Sequence, residues 1–279
     1  MPSKAVLITG CSSGIGHATA ELLVGKGWTV YATARRPESI ADLAQKGCKT
    51  LALDVTDEGS MTAAVDAVTE AEGAVGVLIN NAGYSQSGAV ESVSPDQVRR
   101  QFDTNVFGLL RMCQLVLPGM RGQQWGKIVN ISSMGGRLVF PGGGLYHATK
   151  YAVEAISDAL RFEVRGFGVD VILIEPGLIV TNFGDAATAT VPGEDGGPYA
   201  DFNEKVGKLT TNAYKGPMAK LGGPPETVAR RISDALEAKH PKARYPVTAS
   251  ARLMINQRRL TPDRMWDRIM RTQFPTPKL

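Results

Sequence analysis

Apolar residues in the first two-thirds of the chain fall into short runs. Longer stretches, in which they recur every third or fourth position, separate these runs. Lys4–Thr9, Thr29–Thr33, Thr50–Asp54, Val75–Asn80, Lys127–Ser132 and Val169–Glu175 are short, β-branched and mostly apolar rather than alternating. That is the pattern of parallel strands covered on both faces. Gly16–Lys26, Glu58–Glu72, Pro95–Arg121 and Tyr146–Arg165 carry the helical period; in the last, Ala152, Val153, Ile156, Leu160 and Val164 share one face. Strand-helix-strand repetition predicts an α/β fold, a doubly wound parallel sheet with right-handed crossovers. From Asp185 to Pro225 the pattern loosens into Gly, Pro, Thr and Ala, which predicts a long irregular insertion. Helical patterning returns at Pro225–Lys239, followed by a last strand at Arg244–Thr248 and a basic helical tail.

Length changes the picture little: 279 residues with 43% hydrophobic composition suit one domain, 1–279, with no linker and no internal repeat. The three cysteines, Cys11, Cys48 and Cys113, are scattered and read as free thiols in a reducing compartment. No His, Cys, Asp or Glu group has metal-ligand spacing, and no metal is expected. Net charge is +4, with arginines gathered from Arg252 to Arg271; these read as a solvated helix face rather than a nucleic-acid surface. The apolar run ending at Thr9 is too short for a signal-peptide core or a membrane span. The final Pro277-Lys278-Leu279 lacks the serine of a peroxisomal address. A cytoplasmic protein that binds neither membrane nor nucleic acid is the expectation.

Chemistry enters where the first strand meets the first helix, at Thr9-Gly10-Cys11-Ser12-Ser13-Gly14-Ile15-Gly16. Glycines here let the backbone turn tightly and approach a pyrophosphate, with the anion at the helix N-terminus. Ala34-Arg35-Arg36 ends the second strand with no acid until Glu38. An acid there would hold a ribose 2′-hydroxyl, whereas arginine accommodates a 2′-phosphate through two nitrogens, so NADP(H) is expected over NAD(H). Tyr146 and Lys150 are four apart on one helix and share a face, where an ammonium would lower the tyrosine pKa toward working pH.

The glycine spacing, G-x-x-x-G-x-G, resembles that of the short-chain dehydrogenase/reductase family, in particular its hydroxysteroid and retinol dehydrogenase-like branch. The resemblance continues in family order over residues 4–181: Asn80-Asn81-Ala82-Gly83, Asn105, Ser132-Ser133, Tyr146 with Lys150, and Pro176-Gly177 with Thr181. It implies a catalytic tetrad of Ser133, Tyr146, Lys150 and Asn105, with Ser132 the weaker serine candidate. It also implies a dinucleotide held by Gly10, Ser12, Ser13, Gly14, Ile15, Gly16, Arg35, Arg36, Asp54, Val55, Asn81, Ala82, Gly83, Tyr146, Lys150, Pro176, Gly177, Ile179 and Thr181. In the reaction so implied, hydride passes to a carbonyl carbon while Tyr146 gives its proton to the oxygen. Ser133 holds that oxygen, Lys150 supports Tyr146, and Asn105 holds a helix kink and a water near Lys150. The substrate is expected to be small and apolar: a steroid, a retinoid or another bulky ketone. Residues 183–225 are expected to close over it as a lid. Homodimers or homotetramers through Pro95–Arg121 and Tyr146–Arg165 are also expected. The alternatives are a NAD-linked alcohol dehydrogenase and a dinucleotide-binding protein without catalysis. His147 falls at a position the family leaves free and is expected to point away from the site, while Trp125 and Trp266 read as packing residues.

Overall fold

The computed structural model describes residues 1–181, 183–192, 197–215 and 220–277. Seven parallel strands form one sheet: β1 Val6–Ile8, β2 Val30–Ala34, β3 Lys49–Ala52, β4 Val77–Asn80, β5 Gly126–Ile131, β6 Val169–Pro176 and β7 Arg244–Val247. Their order is β3-β2-β1-β4-β5-β6-β7. The chain therefore reverses its winding between β1 and β4, which pair through Val6 with Val77 and Ile8 with Ile79. Helices α1 Gly14–Gly25, α2 Ala41–Gln45, α3 Glu58–Glu72, α4 Pro95–Phe102, α5 Gly108–Gly122, α6 Gly144–Val164 and α9 Pro225–Glu237 cover the faces.

The apolar strand runs have a direct cause. Successive side chains point to opposite faces, and both faces are buried. Val6 and Ile8 enter a core with Leu23 of α1 and Ile232 of α9, while Leu7 between them enters a second core with Val65 of α3 and Met112 of α5. Ile128 and Val129 of β5 divide in the same way. A strand buried on one side only would have alternated apolar with polar.

The long helix expected over Pro95–Arg121 is continuous but not uniform. Ser94 and Gln97 form a capping box at its start. The stretch Asp103–Phe107, which contains Asn105, is π-helical and joins α4 to α5. An extra residue in one turn of a helix is a feature often found at functional sites.

The irregular insertion expected over Asp185–Pro225 is instead helical where described: α7 Phe183–Ala189 and α8 Ala200–Lys215. Gly193, Gly196, Gly216 and Met218, counted in the expected lid, lie outside the described residues. The α7–α8 unit is tied to the loop after β4: Gln86 Nε2 donates to Thr190 O at 2.6 Å, and Ala89 N–H donates to Asn203 Oδ1 at 2.8 Å. The tail forms α10 Ala249–Leu260 and α11 Asp263–Gln273. Trp266 of α11 is buried with Leu138 and Met270, and its indole N–H donates to Val139 O. Among the described residues no helix is long and apolar enough to cross a membrane.

Candidate active site

In an open parallel sheet, ligands bind beyond the carboxyl ends of the strands at the point where winding reverses. A cavity of about 1270 Å³ lies there. The loop after each of the first six strands contributes to it: Gly10 after β1, Arg35 after β2, Asp54 after β3, Asn81 after β4, Ser133 after β5 and Gly177 after β6. Eighteen of the expected site residues line it; Gly16, Arg36 and Asn105 stand behind it or beside it.

The β1–α1 turn is built for close approach. Gly10 has φ +73°, and a Cβ there would lie 2.9 Å from Ala82 Cα. Gly14 has φ +62°, and a Cβ would fill the gap to Thr181, 3.3 Å from its methyl. Gly16 fits against the Asn81 carboxamide, so its role is packing between helix and loop. Thr9 Oγ1 accepts from Asn81 N–H and Ala82 N–H, both at 3.0 Å, and Asn81 Nδ2 donates to Thr9 O and Gly10 O, both at 2.9 Å. These four bonds fix the turn to the end of β4. Ser13 precedes α1 without a side-chain cap, so the first amides of α1 keep their donors for a ligand. A glycine cradle, uncapped amides and exposed Arg35 together fit a dinucleotide with its phosphates at α1. Among the described residues neither Arg35 nor Arg36 has a carboxylate partner, so both guanidinium groups remain available. Asp54 is drawn into its own turn, where Oδ1 accepts from Thr56 N–H at 2.9 Å and from Thr56 Oγ1 at 2.7 Å.

At the other end, Tyr146 and Lys150 project from α6. The Lys150 ammonium lies 5.8 Å from the Tyr146 ring centroid and donates to Ile131 O at 2.8 Å. The Ser133 hydroxyl acts on the Tyr146 phenol, pulling its pKa partway back down, and Gly135 N–H donates to Ser133 Oγ at 3.0 Å. Both serines line the cavity, but Ser132 Oγ is sealed from solvent with no partner. Asn105 holds the loop after β4: its Oδ1 accepts from Tyr84 N–H at 3.1 Å, and its Nδ2 donates to Tyr84 O at 2.9 Å and Thr149 Oγ1 at 3.1 Å. Gly83 separates Asn105 from Lys150; a Cβ there would lie 3.1 Å from Asn105 Oδ1 and 3.8 Å from Lys150 Nζ.

The electrostatics correct one expectation. Burial pushes the Tyr146 phenol well above its ordinary value; the Ser133 hydroxyl only partly offsets this, and Tyr214 adds to the rise. Tyr146 is therefore a phenol at neutral pH and carries a proton to give. Burial pulls Lys150 down to about 8, against a partial pull upward from Glu154.

His147 departs from expectation as well. The residue is buried and lines the cavity, with its ring 5.7 Å from that of Tyr146. Its neighbours include two glycines, Gly135 and Gly143, whose missing side chains make room for the imidazole. The glycine clusters around 135 and 143 were the available signal in the sequence. The apolar walls come from Phe183 of α7, Leu209 and Tyr214 of α8, and Met254 and Ile269 of the tail.

Comparison with known proteins agrees with this fold. The short chain dehydrogenase family model matches residues 4–191. The NADPH-dependent 3-dehydrocapnine reductase of Ornithobacterium rhinotracheale is 36% identical over 273 residues, spanning 94% of this chain and 94% of that protein. The 3-ketodihydrosphingosine reductase of Bacteroides thetaiotaomicron is 44% identical over 186 residues, 66% of this chain and 67% of that protein. A short-chain dehydrogenase from Streptomyces avermitilis superposes with a TM-score of 0.79 at 35% identity, over 97% of this chain and 98% of that one.

Burial of Lys150 has a measurable sign. Its pKa falls from 10.5 to about 8 on folding, so across that window the unfolded chain binds more protons at this position than the folded one. Lys150 therefore makes stability rise as pH rises from 8 to 10.5, and destabilises the fold below it. Denaturant midpoints of the parent protein minus those of Lys150→Met should climb through this range. A difference that is flat or falls with pH would show that the ammonium is not desolvated as described.

Proposed function

The chain belongs to the short-chain dehydrogenase/reductase family and is an oxidoreductase of carbonyl and CH–OH groups; from that premise we propose that it is an NADP(H)-dependent reductase of bulky, apolar ketones. The observation that carries this reading is the convergence of Ser133, Tyr146 and Lys150 on one cavity with Arg35 at its far end.

The cofactor, when bound, supplies or takes up the hydride. The chain supplies orientation and the proton. Ser133 holds the substrate oxygen by hydrogen bonding, and Tyr146, kept as a phenol by burial, donates its proton to that oxygen. Lys150 stands beside Tyr146 and stabilises negative charge as the phenol gives up its proton. Asn105 fixes the loop through Tyr84, which keeps Gly83 and Lys150 in register. Gly10, Ser12, Ser13, Gly14 and Ile15 receive the pyrophosphate, Arg35 the 2′-phosphate with Arg36 beside it, Asp54 and Val55 the adenine end, and Pro176, Gly177, Ile179 and Thr181 the carboxamide. The relative named as NADPH-dependent supports the cofactor choice. The apolar walls contributed by Phe183, Leu209, Tyr214 and Met254 favour a bulky apolar substrate.

Tyr146→Phe removes only the proton donor. It should lower kcat by at least about 100-fold, the lower range for general-acid catalysis, and leave the Kd for NADPH nearly unchanged. Loss within tenfold in steady-state assays would contradict the assignment.

NADPH should bind more tightly than NADH by roughly ten- to a hundredfold, the range of a hydrogen bond to a charged group. Arg35→Asp should erase or reverse that order. Equal dissociation constants for the two nucleotides in the parent protein would remove the argument from charge.

We further propose a homodimer or homotetramer built on α4–α5 and α6. Phe107 on the first and Tyr151 and Phe162 on the second expose large apolar surface, 86% for Phe162, that a partner copy would cover. Sedimentation equilibrium at micromolar concentration should give a dimer or larger; a monomer would contradict this.

A further inference from the structure

His147 is more enclosed than any surface role requires. It is 7% exposed, on the turn of α6 that carries Tyr146. A Cβ on Gly135 would lie 2.6 Å from the imidazole Cδ2, and one on Gly143 would lie 2.7 Å from Cε1. The ring therefore occupies a slot that exists only because both positions are glycine.

The tautomer follows from one contact. Phe140 N–H donates to His147 Nδ1 at 3.2 Å, so Nδ1 is the acceptor and Nε2 bears the hydrogen. Burial lowers the imidazole pKa to about 4, so the ring is neutral at physiological pH. Nε2 has no hydrogen-bond partner among the described residues. Unlike Asn80 Oδ1, Ser132 Oγ and Glu154 Oε1, which are sealed and unpartnered among the described residues, it opens on the cavity that His147 lines. A buried donor left unpaired is costly unless a ligand or water satisfies it.

The position of that donor is informative. The point a Gly135 Cβ would occupy lies 3.2 Å from His147 Nε2 and 3.4 Å from Ser133 Oγ. The two polar atoms are therefore within about 7 Å of each other, a span that a ketone oxygen on one and a neighbouring carbonyl oxygen on the other can bridge. The charge around them is equally specific. Among the described residues the one carboxylate lining the cavity is Asp54, after β3, and four strand spacings from β3 to β5 put it roughly 19 Å from the Ser133 end at about 4.8 Å per strand. Among the described residues no carboxylate waits at the reacting end for a substrate cation.

We propose that the His147 Nε2–H binds a second, neutral oxygen acceptor on the substrate, adjacent to the ketone held by Ser133 and Tyr146. This deepens the carbonyl-reductase reading and rests on it. The substrate class it selects is a ketone with a neighbouring ester, amide or other carbonyl oxygen, carried on an apolar chain. A simple ketone would leave the donor to water.

Two probes of equal chain length separate the possibilities: a linear alkyl methyl ketone and the ethyl ester of a linear 3-oxo acid, each reduced with NADPH. The parent enzyme should show the higher kcat/KM on the oxo ester. His147→Phe fills the slot without a donor and should lower kcat/KM on the oxo ester about tenfold, the scale of one neutral hydrogen bond. The loss on the simple ketone, which offers Nε2–H no second oxygen, should be smaller, so that the ratio of the two kcat/KM values falls. His147→Gln keeps an N–H donor and should restore most of the preference. His147→Leu, smaller than the phenyl ring, is run alongside in case the phenylalanine variant does not fold, with the same loss expected. Equal losses on both ketones, or a parent enzyme with no preference for the oxo ester, would overturn the role of His147 while the reductase reading stands. A parent enzyme that reduces neither ketone, yet binds NADPH, would overturn both.

Discussion

Parallel pairing of β1 with β4 is the constraint from which the site follows. Both strands run the same way and the winding reverses between them, so the loops that leave them diverge and open a crevice. Every element of the chemistry sits at the carboxyl end of a strand or on the helix that follows it. Thr9 and Asn81 then close the junction with four hydrogen bonds. The bonds set the distance between the glycine turn and the loop that leads to Asn105. A slip of one residue in this pair would send the buried apolar side chains of β1 to the wrong cores and carry Gly10 away from Ala82.

Low polarity is the second organising fact. Tyr146, His147 and Lys150 stand within one turn and a half of α6, and burial favours the neutral form of each. A neutral phenol can give a proton, a neutral imidazole can donate from one nitrogen while accepting at the other, and a lysine near 8 can respond to a neighbour's charge. The same residues in water would be a phenol, a partly protonated imidazole and a fixed cation. Burial therefore fixes the imidazole as neutral, makes the phenol harder to ionise and leaves the lysine closer to losing its charge.

Much of this was legible in the sequence for identifiable reasons. The strands were readable because burial on both faces removes polar residues from them, and α6 was readable because Val153 and Val164 recur on its buried side. The glycine turn, Asn81 and the Tyr146–Lys150 pair were readable because each must occupy a fixed place relative to a strand end. α7 and α8 were hidden by their composition: Gly184, Thr188, Thr210 and Thr211 depress helix propensity, and packing of α7 on α8 overrides it. The orientation of His147 could not be read from helical spacing, because it depends on two glycines in separate loops. The direction of the Tyr146 shift was misjudged for a similar reason: charge proximity is visible in a four-residue spacing, and desolvation is not.

The slot around His147 also governs how this site can change over generations. With Gly135 and Gly143 in contact range of opposite edges of the imidazole, a side chain at either glycine and a ring at 147 cannot coexist without movement of the backbone. The three positions form one mutational unit. A lineage that replaces the histidine with a small residue frees both glycines to drift, and once either has acquired a side chain the imidazole cannot return in a single step. The slot thus acts as an evolutionary ratchet on the shape of the cavity wall, set by van der Waals volume alone.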